Sequence, residues 1–384
     1  MGWRARNTII YTVYDLRKTI MYTYTDIKRL HLEVSSLCQA KCPMCARNEH
    51  GGLPNPNLVE QNLDTETFKN IIPVDLIKQV ESVSLCGNFG DPILNKDLID
   101  IVSYISTSNP ALELQLHTNG SARTTAWWSE LAKVMPRTHT VLFGIDGLED
   151  THSLYRIGTD FNKIIENAKA FIAAGGRARW NFITFKHNEH QLEACRKMSQ
   201  DLGFESFQEK QTSRFIGDPF FEVLDSDGNV THKLESPTEK KIAFIDRKIV
   251  ENYKEAIASC TITCEVEESK SLYIDAQGYA WPCCFLASVP YQYSRPEKLV
   301  WDFMNHSKRS LDNALESFGG IEGLNINKRS IKDIVNSHAW QTVWNKGFED
   351  KSVVMCARVC GKFKTVDISQ CRDQFLELDI FDER

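Results

Sequence analysis

Residues 38–45 read CQAKCPMC, placing three thiols, Cys38, Cys42 and Cys45, in eight positions with the spacing C-x3-C-x2-C. Four thiolates around zinc or iron make a closed, structural centre. Three thiolates on a 4Fe-4S cluster leave one iron without a protein ligand, and that iron can chelate a substrate or cosubstrate. The competing reading of the triplet is a zinc site that borrows a fourth ligand from elsewhere, or three unrelated thiols. The chain holds twelve cysteines. Seven of them, Cys260, Cys264, Cys283, Cys284, Cys356, Cys360 and Cys371, fall in its last third, and only Cys86 and Cys195 stand alone. In a reducing compartment such clusters point to metal rather than to disulfides.

Composition supports that compartment. No apolar stretch approaches the roughly 18 to 20 residues of a membrane span, and charges interrupt the first twenty residues where a secretory core would be continuous. The expectation is a cytoplasmic protein with no membrane partner. A net charge of −6 over 384 residues, without a basic stripe, argues against nucleic acid.

The thiol loop needs elements to hold it. Residues 30–212 alternate short β-rich runs with helical patterns: RLHLEV, SVSLCG, LELQLHT, TVLFGID, RWNFITF and FESFQEK read as strands. Between them NKIIENAKAFIAAGG puts Ile164, Ile165, Ala168, Phe171 and Ile172 on one helical face, with Gly175 and Gly176 as the stop. Strand and helix in alternation predict a parallel sheet, an α/β fold of the partial (β/α)6 TIM-like barrel kind. Chemistry in such folds sits at the carboxyl ends of the strands, where the three-thiol loop follows the first. Residues 1–29 read as an N-terminal extension and 213–258 as a linker or insertion, with a hairpin signal in VLDSDGNVTH. Residues 259–384 turn cysteine-rich and aromatic and read as a second, small domain. Cys195 shares a helical face with Leu192 and Leu202 and reads as a core thiol, as does Cys86 on its strand. His187 and Asn188, after the fifth strand, read equally as pocket lining or as surface.

A C-x3-C-x2-C loop after the first strand of a β/α array resembles the signature of the radical S-adenosylmethionine (SAM) superfamily. That resemblance implies a 4Fe-4S cluster on Cys38, Cys42 and Cys45, with SAM on the open iron. Reductive cleavage of SAM would then give a 5′-deoxyadenosyl radical that abstracts hydrogen from a substrate. Gly87, Gly90, Asp91 and Pro92 resemble the family's glycine-rich SAM motif in its G-x-x-G-[DE]-P form. HTNG (117–120), GIDG (144–147) and HSLYR, ending at Arg156, resemble further strand ends, implying that Asn119, Asp146 and Arg156 contact SAM. Met44 stands where the family usually has an aromatic residue, and Gly144 where it often has a serine.

Cys264, Gly278 and Cys283, spaced C-x13-G-x4-C, resemble the opening of the SPASM or twitch extension. The C-x2-C-x5-C-x3-C run of a full SPASM domain is absent. The resemblance therefore implies one auxiliary 4Fe-4S cluster on Cys264, Cys283, Cys356 and Cys360, with Cys260 or Cys371 as alternatives and Cys284 as a bystander. Structural zinc, or two clusters with mixed ligands, are the competing readings. The expectation is a radical SAM enzyme, an oxidoreductase or a peptide-modifying enzyme, acting on a peptide or a small molecule and reduced by a flavodoxin or ferredoxin. The alternative is a non-catalytic metal scaffold or electron carrier.

Overall fold

The computed structural model describes residues 21–215, 218–240, 253–292, 298–362 and 375–380. All six expected barrel strands form: β1 Arg29–Leu32, β2 Ser82–Leu85, β3 Glu113–Thr118, β4 His139–Gly144, β5 Ala178–Ile183 and β6 Ser206–Lys210. Consecutive members pair in parallel from β1 to β6. Leu30, Leu32, Val83, Leu85, Leu114 and Leu116 are buried in the main core. Their alternation with His31, Ser84, Gln115 and His117 turns polar side chains to the opposite face of the sheet.

Crossover helices supply the other half of the core. Phe161–Ala173 starts at Asp160, whose carboxylate accepts from Lys163 N at 3.0 Å, and buries Ile164, Ile165, Ala168 and Phe171. The chain leaves it through Gly175 at φ 93°, a left-handed conformation that favours glycine. The hairpin signal in the insertion is β7 Phe220–Leu224 with β8 Val230–Glu235, antiparallel around the Asp225–Asn229 turn.

The cysteine-rich segment joins the barrel sheet. After the two-residue β9 Thr261–Ile262 come β10 Ser271–Ile274 and β11 Ala280–Trp281, which pair antiparallel to each other. Yet β10 also lies parallel to β1, residue 29 opposite 271 and 32 opposite 274. The barrel sheet thus runs β11-β10-β1-β2-β3-β4-β5-β6-β13, with β13 Phe375–Ile380 antiparallel on β6, and β12 Gly361–Lys362 pairs antiparallel with β9. Its edges are separate strands, as a partial barrel requires. Leu272 and Ile274 drive the docking by joining the same core as Leu30 and Leu32.

Candidate active site at the barrel mouth

β1 hands the chain to a tight loop. Cys45 N donates to Cys42 O at 2.9 Å, Asn48 N to Cys45 O at 3.1 Å, and Lys41 N to Ile157 O at 2.8 Å. Cys38, Cys42 and Cys45 pack with Ala40, Met44, Tyr155 and Phe185 in an apolar cluster apart from the main core. Met44 is buried there, and its carbonyl accepts from Arg214 Nη1 at 2.9 Å.

A different strand end meets each thiol. Asn88 O, beyond β2, lies 3.9 Å from Cys45 Sγ. Asn119 Nδ2, at the end of β3, donates to Cys38 Sγ at 3.7 Å. Arg156 Nη1, beyond β4, reaches Cys42 Sγ at 3.9 Å. Burial pushes the Cys42 thiol up to about 11 against the pull of Arg156. Burial, then the Asp91 charge, raises Cys38 further. Such thiols ionise when a metal compensates the charge.

Most of the expected residues have direct structural duties. Gly90 is required because a Cβ there would lie 1.8 Å from Ser35 O, and one on Gly87 would lie 2.4 Å from Glu33 Oε1. Asp91 Oδ2 accepts from Asn119 N at 2.8 Å and Thr118 Oγ1 at 3.0 Å, tying the β2 loop to the end of β3. Pro92 is buried in the short turn that follows. Asp146 is fully buried, its Oδ2 accepting from Arg156 Nε at 2.6 Å and its Oδ1 from Ile183 N at 2.6 Å. Gly144 makes room for Arg156, since a Cβ there would sit 2.6 Å from Nη2. A serine at 144 would compete with that guanidinium. Asn188 braces the β5 loop, with Oδ1 accepting from Phe185 N at 2.7 Å and Nδ2 donating to Ile183 O at 3.0 Å. His187 stacks on Phe185 at 5.3 Å. Cys195 is a core thiol, fully buried.

Three residues escaped the sequence reading. Glu33, almost fully buried, accepts from Phe89 N at 2.8 Å and Gly90 N at 2.9 Å on Oε1, and from Tyr273 O–H at 2.6 Å on Oε2. The signal was an acid directly after an apolar strand. Asn181 stands opposite Gly144 in register, and its buried Oδ1 has no partner. Gln39 Oε1, inside the thiol loop, is likewise buried and unpartnered. Unmet acceptors at the end of β5 and inside the thiol loop suit a ligand that carries ammonium or hydroxyl donors. In the barrel, burial and the nearby Lys210 and His31 charges lower His117 to about 3, and burial lowers Lys210 to about 8.

A second thiol group forms in the C-terminal region. Cys264 and Cys283 take the N-cap positions of the short helices Glu265–Ser269 and Cys284–Ser288. Cys356 and Cys360 lie four residues apart on the helix Val354–Cys360, which places them on one face. All four line a cavity of about 200 Å³ together with Cys284, Tyr273 and His31. Burial, then the neighbouring Cys283, Cys264 and Cys360, raises Cys356 well above the ordinary thiol value. Cys260 packs elsewhere, with Ile257, Val354 and Ala357. Cys371 lies outside the described residues. A single zinc ion needs thiolates converging on one point at about 2.3 Å. Among the described residues, no three His, Cys, Asp or Glu side chains are so placed.

These observations define a class before any comparison: an α/β partial barrel with an open three-thiol loop at the carboxyl ends of its strands and a four-thiol cavity beside β10. Residues 32–197 match the family model of the Radical SAM superfamily. No curated protein sequence matches. Among solved structures, SuiB of Streptococcus suis bound to precursor peptide SuiA is similar at 15% identity and TM-score 0.48, over 75% of this chain and 65% of that one. The chain thus spans slightly less than two thirds of SuiB. BtrN in complex with AdoMet and 2-DOIA is similar at 13% identity and TM-score 0.44, over 91% and 98%. Native anSMEcpe with bound AdoMet and a peptide is similar at 15% identity and TM-score 0.47, over 90% of each chain. Among the described residues, no helix is long and apolar enough to cross a membrane.

Proposed function

We propose that the protein is a radical SAM enzyme in which Cys38, Cys42 and Cys45 hold a 4Fe-4S cluster, with SAM over the ends of β2 to β5. The observation that carries this reading is that each thiol of the open triad meets a different strand-end loop. When bound, the cluster and SAM supply reductive sulfonium cleavage and hydrogen abstraction from the substrate. The chain's own part is to bind, orient and exclude water. Asn119 and Arg156 place N–H groups against two of the sulfurs, which offsets their negative charge. Glu33, Asp91 and the Gly87–Gly90 loop fix the backbone that faces the ligand. Asn181 Oδ1 and Gln39 Oε1 offer acceptors to its ammonium or hydroxyl groups. The apolar wall of Met44, Tyr155 and Phe185 keeps water from the loop.

Cys264, Cys283, Cys356 and Cys360 hold an auxiliary 4Fe-4S cluster in a SPASM- or twitch-like region spanning 259–384, beside the core of 30–212. The substrate, a peptide or a small molecule, lies over the barrel mouth and is oxidised or cross-linked there, and a flavodoxin or ferredoxin supplies the electron. The test is anaerobic reconstitution followed by dithionite and SAM. Formation of 5′-deoxyadenosine by the wild type but not by Cys42→Ala supports the reading. An iron-loaded wild type that binds no SAM sinks it.

A further inference from the structure

Asn88 touches both thiol groups. Its carbonyl oxygen lies 3.9 Å from Cys45 Sγ, while its side-chain Nδ2 donates to Cys284 O at 2.7 Å, one residue from the cavity thiol Cys283. Asn88 sits in the Gly87–Gly90 loop, whose next two N–H groups are held by Glu33 Oε1. The other oxygen of Glu33 accepts from Tyr273 O–H at 2.6 Å, and Tyr273 lines the four-thiol cavity. The His31 ring meets Tyr273 edge-on at 4.7 Å, and His31 Nε2 lies 2.6 Å from Cys86 O at the entry to the same loop. Two contacts, Asn88 to Cys284 and Glu33 to Tyr273, therefore tie one and the same loop beside the first thiol group to the wall of the second, and both are needed to hold it.

We infer that Asn88 is a positioning residue shared by both centres, through which SAM binding at the barrel mouth and cluster binding in the C-terminal cavity reinforce each other. This rests on the function proposed above. The Gly87–Gly90 loop has little freedom to move alone, because Gly90 is wedged against Ser35 and Gly87 against Glu33. A ligand that settles the loop must also settle the Cys283–Cys284 turn. Coupling of this kind is reciprocal: whatever one ligand does for the other's affinity is returned in equal measure. Tyr273 gives the same link a second point of attack that leaves every thiol untouched.

The experiment is a cycle on the reconstituted full-length protein. SAM affinity is titrated anaerobically for the wild type, Asn88→Ala, Cys356→Ala and the double variant, with iron counted in each. Loss of the auxiliary cluster in Cys356→Ala is expected to weaken SAM about 5- to 20-fold. Asn88→Ala is expected to do the same with its iron complement intact, and the double variant to be no weaker than either. Because Cys356→Ala can disturb folding, the reciprocal effect is read without it. Adding SAM should shift the electron paramagnetic resonance signal of the reduced auxiliary cluster in the wild type, and not in Asn88→Ala or Tyr273→Phe. Additive losses, or an unchanged auxiliary signal in a wild type that binds SAM, would overturn the coupling alone. A wild type that holds iron but binds no SAM would overturn the function on which it rests, and the coupling with it.

Discussion

The two thiol groups are built in opposite ways. Cys38, Cys42 and Cys45 come from one stretch of eight residues, and hydrogen bonds inside that stretch shape the loop. The four C-terminal thiols come from three places in the chain: the turn before one short helix, the turn before another, and a single helical face. Three thiols leave a vertex open to chemistry, and four close it. The local loop is positioned by the barrel, whereas the scattered set comes together only through the folding of its own region. A ligand that draws together distant segments contributes directly to folding.

The sharpest way to break that comparison is Cys42→Ala. It should abolish 5′-deoxyadenosine formation and lower iron from about eight to about four per chain, while thermal unfolding stays within a few degrees of wild type. Cys356→Ala should show the reverse: about four irons lost, a clearly lowered melting temperature, and SAM cleavage retained at a reduced level. If both variants lose activity and stability alike, the division between an open catalytic site and a closed cavity fails. Gly144→Ser acts within the first site only. Its Cβ would crowd Arg156, which holds Asp146 and approaches Cys42, and SAM affinity should fall about tenfold with iron unchanged.

Acid sharpens the contrast by a smaller step. His152, fully buried, accepts from Asp146 N at 3.1 Å, and burial, then the Arg156 charge, lowers it to about 3. The unfolded chain binds this proton below about 6.5 and the folded protein does not, so stability is full above that pH and is lost as pH falls toward 3. Between pH 6.5 and 4.5 the loss should be about 2 to 3 kcal/mol. His152→Gln should flatten the slope measured by denaturant unfolding, and an unchanged slope would contradict the assignment.

What could be read in advance follows the same division. The barrel strands were legible because Leu30 and Leu32, or Leu114 and Leu116, alternate within a few residues of one another. The three-thiol loop was legible because its spacing is local. The pairing of β10 with β1 brings residue 271 beside residue 29, and no periodicity records a contact across that separation. For the same reason Glu33 was missed, since its partners are Gly90 and Tyr273. Gly144 stands where the family often has a serine, and the space its missing side chain leaves is taken by Arg156, a contact that no local pattern records. The four-thiol set was assembled from a family resemblance, because the stretch from Cys283 to Cys356 carries no spacing signal of its own.

The most direct test of an open centre beside a closed one is Mössbauer spectroscopy of iron-57-loaded protein with and without SAM. The account predicts about eight irons per chain, with SAM changing the signal of about one in eight, and no such change in Cys42→Ala. A SAM-bound protein in which no iron signal moves, or zinc filling both thiol groups, would contradict it.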